Sequence, residues 1–371
     1  MSGKPPLSGL KVVELARILA GPWAGQVLAD LGAEVIKIEA PEGDDTRRWG
    51  PPFIEREGDR SAAYFHATNR GKRSVIADFR TPEGQALVRE LVADADVVIE
   101  NFKLGGLKKY GLDYEALSAI NPRLVYCSIT GFGQDGPYAE RAGYDFLIQG
   151  MAGWMDLTGD PSGEPQKVGV AFADLFTGLY AVIGIQAALA ARAVTGRGQL
   201  VDMALLDCAV GVLANQGMNF LTTGNAPKRL GNAHPNIAPY EVLPVADGSI
   251  ILAVGNDGQF RRFCTVIGQE ALGSDLRFAT NEARVANRAA LRPLIVAELA
   301  RFTKAQILAA LEEATVPAGP INAVDEVFAD PQVQARGMRI EAEGIAGIRT
   351  PIRFSDSALA EAKPAPKLGQ G

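Results

Sequence analysis

The chain has 371 residues and is poor in the side chains that build metal centres and disulfide frameworks. It contains three widely spaced cysteines, Cys127, Cys208 and Cys264, and two histidines, His66 and His234. Cysteines of this number and spacing are typical of small buried side chains in a reducing compartment. Two histidines do not make a multi-histidine metal site. Because these side chains are so few, we expect no metal site. Residues 1–10 contain no apolar signal core, so we expect a cytoplasmic protein.

The sequence also lacks an excess of positive charge. Its 37 basic and 43 acidic residues give a formal net charge of −6. Phosphate backbones require a concentrated basic face, so we expect no nucleic-acid partner. One apolar run, residues 175–191, approaches membrane-spanning length, but it contains Gly178, Gly184 and Gln186. A single run of this kind in a balanced chain is typical of a buried central helix, and we expect no membrane association.

Short apolar strands and helices alternate through the first 130 residues. The predicted strands span residues 10–15, 35–38, 74–78, 97–99 and 124–129. Helices are predicted at 22–31 and after Thr81, which is placed to cap a helix that has Pro82 at its first position. This alternation predicts an α/β fold with a parallel sheet covered by helices on both faces. Ligands of such sheets bind at the carboxyl ends of the strands.

A second, smaller domain is predicted in the last third of the chain. The pattern becomes helical after residue 168 and changes again near Gly224. Two strands, 240–245 and 250–254, flank Ala246-Asp247-Gly248, which is a hairpin signal. We therefore predict a large domain of residues 1–224 and 328–371, and a small α+β domain of residues 225–327.

Asp174 is the most informative residue because it stands among small and apolar residues in segment 168–181. An unpaired buried carboxylate is energetically costly, so it needs a partner, a raised pKa or a chemical role. One interpretation is that Asp174 caps a helix beginning at Leu175. The other is that it reacts with a substrate.

A glycine motif offers a different function. Gly131-Phe-Gly133-Gln-Asp-Gly136 matches the dinucleotide fingerprint and suggests an NAD or FAD oxidoreductase. However, Pro137 follows it, it comes after the fifth predicted strand, and the first strand–helix turn lacks this glycine pattern. The oxidoreductase is therefore the weaker alternative.

Two basic clusters stand at predicted strand ends. They are Asn69-Arg70-Gly71-Lys72-Arg73 and Asn101-Phe102-Lys103, the latter followed by Lys108-Lys109. Cations from separate loops can hold the phosphates of a nucleotide-like ligand, whereas either cluster alone is also typical of a solvated surface. Gly255 and Gly258 mark a loop that can move and approach a ligand, or that simply leads into a helix capped by Asp257.

Several of these motifs occur together in an order that resembles the class III coenzyme A transferases. This group includes formyl-CoA transferase, carnitine CoA-transferase and the α-methylacyl-CoA racemases, and the resemblance covers residues 7–339. The motifs are Leu-Ala-Gly-Pro22, Gly32-Ala-Glu-Val-Ile-Lys-Ile-Glu39, Gly71-Lys-Arg-Ser74, Glu100-Asn-Phe102, residues 130–138 and Thr195-Gly-Arg-Gly-Gln199. The resemblance implies a nucleotide-binding-like α/β domain, a smaller domain and an interlocked-ring homodimer.

The same resemblance implies roles for individual residues. Asp174 falls at the family's catalytic aspartate, and Gly255 and Gly258 fall in its active-site glycine loop, which is less glycine-rich here. The implied CoA contacts are Ile18, Leu19, Ala20, Asn69, Lys72, Arg73, Asn101, Phe102, Lys103 and Lys109. CoA and acyl-CoA are expected as substrates, with no tightly bound cofactor.

The segment around Tyr144 distinguishes two activities of this group. The racemases carry Gly-His-Asp where this chain has Gly143-Tyr144-Asp145. A tyrosine with an ordinary pKa of about 10 is a poor base at neutral pH, so the substitution favours a transferase over a 2-methylacyl-CoA racemase. The sequence of residues 141–145 and 158–161 resembles that of the branch that acts on dicarboxylic acids such as succinate, glutarate, itaconate or citramalate.

We therefore predict CoA transfer between carboxylic acids through an aspartyl anhydride and an aspartyl-CoA thioester at Asp174. Arg17, Arg47 and Arg48 are alternatives for binding a second substrate carboxylate. A non-catalytic CoA-binding module is a further hypothesis, but it would not need a carboxylate in an apolar segment.

Overall fold

The computed structural model describes residues 3–370. Within them the chain forms two compact units. The first contains the chain up to Trp154, Lys167–Asn225 and the chain from Pro331, and the second contains Met155–Gln166 and Ala226–Asp330. The predicted domain boundaries remain a prediction. The structure adds that Met155–Gln166, which was predicted within the large domain, packs with the second unit.

The strands are short, and most belong to one sheet. They are β1 Lys11–Glu14, β2 Glu34–Glu39, β3 Phe53–Arg56, β4 Asp59–Ala62, β5 Arg73–Ile76, β6 Val97–Glu100, β7 Val125–Thr130, β8 Leu200–Ala204, β9 Tyr240–Val245, β10 Gly248–Ala253, β11 Ala318–Gly319, β12 Arg339–Ala342 and β13 Ile345–Ile348. Six of them form a sheet in the order β5-β2-β1-β6-β7-β8. All five pairings in this sheet are parallel. The predicted parallel sheet is confirmed, but β8 was not predicted.

The helices connect these strands and continue into the second unit. They are α1 Ala20–Asp30, α2 Ala63–Thr68, α3 Pro82–Ala93, α4 Tyr114–Ile120, α5 Asp145–Met151, α6 Trp154–Leu157, α7 Phe172–Thr195, α8 Leu205–Gly211, α9 Ala214–Thr223, α10 Asp257–Val266, α11 Glu270–Ser274, α12 Asn281–Ala286, α13 Arg288–Leu299, α14 Lys304–Glu313, α15 Val324–Ala329 and α16 Pro331–Ala335. Two short 3-10 turns span Asp45–Arg48 and Lys108–Tyr110. The predicted cap is confirmed, since the Thr81 side chain accepts a hydrogen bond of 3.1 Å from the Gly84 amide at the start of α3.

Helices cover both faces of the parallel sheet because successive side chains of a buried strand point in opposite directions. Alternate residues such as Val97 and Ile99 of β6 pack with α1, α7 and α8 in one apolar core. Val98 of the same strand packs with α3 and α4 in the core on the opposite face.

Helix α7 contains the long apolar run noted in the sequence. By length and composition it could cross a membrane. Within the first unit its residues Ala173, Ala181 and Ile185 are buried in the core shared with α1 and the sheet. This packing is that of a core helix.

The second unit has its own sheet and core. The predicted hairpin is confirmed, with β9 and β10 antiparallel and β11 antiparallel to β10. Helix α10 begins at Asp257 and is capped by Asn256, whose side chain accepts from the Gln259 amide at 2.9 Å, so Asp257 is not the cap. Asp257 instead pairs with the buried Arg284 at 2.7 Å.

Candidate active site

The order of the parallel strands reverses between β1 and β6, and a cavity opens at this point. Open α/β sheets bind ligands at such a switch point because the loops after the two strands diverge there. The cavity has a volume of about 400 Å³. It is lined by Arg17, Ile18, Leu19, Ala20, Asn101, Phe102, Lys103, Leu104, Gly106, Ile129, Thr130, Gly131, Ala139, Arg141, Ala142, Gly143, Tyr144, Asp174 and Leu205.

Asp174 enters the cavity from the first turn of α7. The helix begins at Phe172, so the interpretation of Asp174 as the cap of a helix starting at Leu175 is wrong. Asp145 serves the capping function, because its Oδ1 accepts the Ala173 amide at 2.9 Å and lies 3.4 Å from the Asp174 amide. The Asp174 side chain is therefore left available to the cavity.

The surroundings of Asp174 make it a weak acid. Burial, and then the negative charge of Asp145, raise its pKa to about 7. A carboxylate with such a pKa is a stronger base and nucleophile than an ordinary aspartate, and near neutral pH a large fraction of it is ionised.

The start of α1 faces the same cavity. Its N-cap is Leu19, and no side chain among residues 3–370 caps it, so its first backbone amides form an uncompensated positive end.

Helix α7 packs closely against α1 beside the cavity because Gly178 has no side chain. A Cβ at residue 178 would lie 2.7 Å from the Ala20 carbonyl oxygen and 3.0 Å from Cδ1 of Trp23. Asp174 lies one helical turn before this contact.

The loop that leads into α1 has an unusual backbone. Ile18 has a φ of 72°, in the left-handed region. For a β-branched residue this costs about 1–3 kcal/mol and must be imposed by its surroundings. The neighbouring Arg17 is tied to the loop after β6, since its amide donates to Asn101 Oδ1 at 2.8 Å and its carbonyl accepts from Asn101 Nδ2 at 2.6 Å. The Arg17 guanidinium lies 5.4 Å from the centre of the Phe102 ring.

The structure brings many of the predicted site residues together. Those that line the cavity are Arg17, Ile18, Leu19, Ala20, Asn101, Phe102, Lys103, Tyr144 and Asp174. Asp145 is adjacent through its contact with α7.

The cluster at residues 69–73 does not line this cavity. Lys72 is fully buried, and its Nζ donates to Glu14 at 2.9 Å, to the Pro22 carbonyl at 2.8 Å and to Asn69 Oδ1 at 2.9 Å. Arg73 is exposed and pairs with Glu34 at 2.6 Å. Because the donors of Lys72 are used internally, we do not include this cluster among the proposed CoA contacts.

Lys109 and two of the arginine alternatives also lie outside the cavity wall. Lys109 is exposed, with its Nζ 4.7 Å from the centre of the Tyr110 ring. Arg47 is buried and donates twice to the Glu39 carboxylate, at 2.8 and 2.7 Å. Arg48 bonds the Glu42 carbonyl at 2.7 Å and Asp45 at 3.1 Å. Of the three alternatives, Arg17 alone lines the cavity.

The two glycines of the predicted mobile loop lie in the second unit. Gly258 is inside the first turn of α10 rather than in a loop. The Gly255 amide donates to Gln259 Oε1 at 2.7 Å. The helix and this hydrogen bond both restrain the segment.

One aromatic residue beside the site, Tyr64, was not predicted. Burial, and then the charges of Asp174, Asp145 and Asp44, raise the pKa of Tyr64 to about 12. Tyr64 contacts Trp49 edge-to-face with ring centres 5.4 Å apart. A Tyr in a stretch without a motif gives no sequence signal, since only the fold brings it near Asp174.

The glycine motif at 131–136 lacks the context of a dinucleotide site. In that fingerprint a helix begins directly at the glycines, so that its N-terminus meets the pyrophosphate. Here β7 is followed by an irregular loop, and the next helix begins at Asp145. The loop is held by bonds from the Gly133 amide to Thr130 at 2.8 Å and from the Gln134 amide to Asp202 at 3.0 Å.

A switch-point cavity with a perturbed carboxylate and nearby cations defines an α/β enzyme for a nucleotide-type substrate. The family model for CoA-transferase family III matches residues 7–371. The chain belongs to this family and is a CoA-transferase.

Individual relatives agree with this membership. A succinate–glutarate CoA-transferase of Agrobacterium fabrum is 62% identical over 375 residues, covering 99% of this chain and 94% of the relative. A succinyl-CoA:glutarate CoA-transferase of Homo sapiens is 40% identical over 376 residues, covering 100% and 85%. The crystal structure of a CaiB/BaiF family protein from Brucella suis is 67% identical, covers 100% of this chain and 97% of that one, and has a TM-score of 0.89.

Proposed function

We propose that the protein transfers CoA between dicarboxylic acids of the size of succinate and glutarate, with Asp174 as the covalent nucleophile. The observation that carries this proposal is the raised pKa of Asp174, about 7, in the wall of the switch-point cavity. The names of the relatives from Agrobacterium fabrum and Homo sapiens support the acid class.

The reaction proceeds through two aspartyl intermediates. A carboxylate oxygen of Asp174 attacks the thioester carbonyl carbon of the donor, and the C–S bond breaks to give a mixed anhydride and CoA thiolate. The thiolate then attacks the aspartyl carbonyl carbon, which releases the donor acid and leaves an aspartyl-CoA thioester. The acceptor carboxylate attacks this thioester, and the two steps run in reverse. A carboxylate nucleophile is required because only an acyl group can carry CoA in this exchange.

The cavity supplies the electrostatic conditions for these steps. Each attack places negative charge on a carbonyl oxygen, and backbone amides at an uncapped helix start are suited to stabilise it. We assign this role to the first turn of α1, since Ala20 and Asp174 line one cavity. Apolar neighbours such as Ile129 and Leu205 keep water from the anhydride and the thioester.

A second substrate carboxylate needs a cation in the cavity wall. The wall contains Arg17, Lys103 and Arg141. Arg17 already faces Asp45 at 3.3 Å. Arg141 lies 3.9 Å from the centre of the Tyr138 ring and has no carboxylate partner among residues 3–370. We therefore assign the distal carboxylate to Arg141, which can bind it through two parallel hydrogen bonds.

The exposed apolar side chains bear on the oligomeric state, and the cysteines bear on the compartment. Large apolar side chains of the first unit are exposed, including Phe146 at 60%, Ile183 at 61% and Leu221 at 74%. Large apolar side chains exposed to this degree are available for an interface, and we assign them to contacts with a second copy of the chain in a homodimer. Cys127, Cys208 and Cys264 are free and buried, which suits the reducing cytoplasm. CoA enters and leaves as substrate, and the mechanism uses no bound cofactor.

Trapping of the covalent intermediate tests the proposal. Incubation with succinyl-CoA followed by hydroxylamine is expected to convert the Asp174 side chain into a hydroxamate that peptide mass spectrometry locates. Asp174→Ala should lower exchange between succinyl-CoA and glutarate by about 10³-fold or more. The matched variant Asp145→Asn keeps the nucleophile and should still label at Asp174. Near-full exchange by Asp174→Ala would contradict the proposal.

A further inference from the structure

The loop between β1 and α1 forms one wall of the cavity, and its backbone has a conformation that its own sequence does not favour. Ile18 lies in the left-handed region, and it immediately precedes Leu19, the N-cap of α1. A rotation at Ile18 would redirect the first turn of α1 relative to Asp174. The conformation therefore needs an external restraint.

Asp44 provides the contact with this residue. The Ile18 amide faces the Asp44 carboxylate, with distances of 3.3 Å to Oδ2 and 3.5 Å to Oδ1. Asp44 is itself only 1% exposed. Its Oδ1 accepts from the amide of Thr46 at 2.9 Å and from its hydroxyl at 2.8 Å.

Lys37 fixes the charge and the position of Asp44. Lys37 Nζ lies 2.9 Å from Asp44 Oδ2 and also donates to the Ala16 carbonyl at 2.8 Å. Burial by itself raises the pKa of Asp44, but Lys37 and the Thr46 amide outweigh this effect and keep the pKa below its ordinary value. The loop is thus held at Ala16 by the lysine and at Ile18 by the carboxylate.

A second lysine extends the same network to the other end of the loop. Glu14 contacts both Lys37, at 3.2 Å, and Lys72, at 2.8 Å. Lys72 donates to the carbonyl of Pro22 at 2.8 Å. Three buried charges, Lys37, Asp44 and Lys72, therefore bond the backbone at residues 16, 18 and 22, within and on both sides of the segment that lines the cavity. The fourth, Glu14, links the two lysines. Burying four charges is costly in free energy. Here the buried charges hold the backbone segment that lines the cavity.

We infer that Asp44 is a positioning residue for CoA transfer, which acts by holding Ile18 in the left-handed conformation that aims the start of α1 at Asp174. The inference rests on the proposed function only in taking the switch-point cavity as the place of reaction. The Glu14–Lys37–Asp44–Lys72 cluster thus positions the cavity wall, although Lys72 was expected from the sequence to contact CoA.

A double-mutant cycle between Asp44 and Ile18 tests this inference. Glycine adopts positive φ without strain, so it does not need the restraint. Asp44→Asn alone should lower kcat/KM for succinyl-CoA and glutarate at least tenfold. In the Ile18→Gly background the same substitution should cost less than threefold. Ile18→Val, which keeps the β-branched side chain, should leave the full effect of Asp44→Asn.

Asp30 supplies the matched control. Asp30→Asn removes a comparable carboxylate, paired with Arg70 at 2.6 Å, at the far end of α1. Ile18→Gly should not reduce the effect of Asp30→Asn on kcat/KM. Equal effects of Asp44→Asn in both backgrounds, or equal rescue of Asp30→Asn, would overturn the inference. If Asp44→Asn aggregates, soluble enzyme in the Ile18→Gly background supports the inference, and continued aggregation contradicts it. Failure of the proposed function is distinguishable, because the unmodified enzyme would then show no exchange.

Discussion

The backbone N–H of Asp174 points at the carboxylate of Asp145, with 3.4 Å between the nitrogen and Oδ1. One acid thus caps the helix that presents another acid to the cavity. The arrangement satisfies the start of α7, and the Asp145 charge adds to the burial that raises the pKa of Asp174, because it opposes ionisation of that side chain.

This relationship predicts the pH dependence of the reaction. Asp174 must be ionised to attack, and its pKa is about 7. We expect kcat/KM to rise about tenfold per pH unit below that value and to level off above it. Asp145→Asn removes the second cause of the shift, so the midpoint should move to lower pH, whereas Tyr144→Phe should leave it in place. A profile that is flat between about pH 5 and 8 would contradict this assignment.

The same shift predicts a stability change. The folded-state pKa of Asp174 lies above the ordinary value of 3.8, so ionisation of this side chain destabilises the folded protein. The cost is absent below about pH 4, grows as the pH rises to about 7 and then stays constant. Asp174→Asn should therefore stabilise the inactive protein by about 1–4 kcal/mol above pH 7 and by much less at pH 4. Thermal unfolding at both pH values measures this difference, and destabilisation at pH 8 would contradict it.

Gly178 should be intolerant of a side chain. In Gly178→Ala the new Cβ would lie 2.7 Å from the Ala20 carbonyl oxygen, which belongs to backbone and cannot rotate away. We expect a loss of about 1–3 kcal/mol of stability, with a fall in kcat because the first turn of α1 shifts relative to Asp174. Gly211→Ala is the control, since Gly211 is also helical and a Cβ added there would have no atom within 4 Å among the described residues. It should be neutral or slightly stabilising.

Lys72 and Arg73 should differ sharply although they are adjacent. Lys72→Met leaves the buried Glu14 without one of its two cations and should cost about 3–5 kcal/mol of stability. Arg73→Ala removes an exposed pair with Glu34 and should cost less than about 1 kcal/mol. We also expect Arg73→Ala to leave the KM for acyl-CoA unchanged. A large increase in that KM would restore the CoA-binding role that the resemblance implied.

Arg141 should determine the preference for dicarboxylates. Arg141→Gln removes a charge-assisted bond, so the KM for succinyl-CoA should rise about 10- to 100-fold while that for acetyl-CoA stays nearly unchanged. Arg17→Gln is the comparison, because Arg17 lines the same cavity but faces Asp45. If Arg17→Gln alone causes the selective loss, the distal carboxylate belongs to Arg17.

Much of the fold could be read from local patterns. Apolar runs such as Val97–Glu100 and the cap at Thr81 carry their own signals, because strand burial and helix capping depend on neighbouring residues. Strand β8 could not be found in this way. In Leu200–Ala204 only Ala204 is fully buried, and the place of the strand in the sheet depends on pairing with β7, more than 60 residues earlier.

Residue type and short-range order were sufficient to predict the parallel sheet and to reveal the motifs of the family, and they made Asp174 the candidate for the reactive carboxylate. The tertiary structure decided what each charged residue does. Lys72 and Arg47 look like surface cations in the sequence, yet both are buried against carboxylates from other strands. Asp44 and Tyr64 carry no motif, and only the folded chain brings Asp44 to Ile18 and Tyr64 near Asp174. Burial and charge pairing between distant segments set the role of an ionisable group, and a linear sequence does not contain those distances.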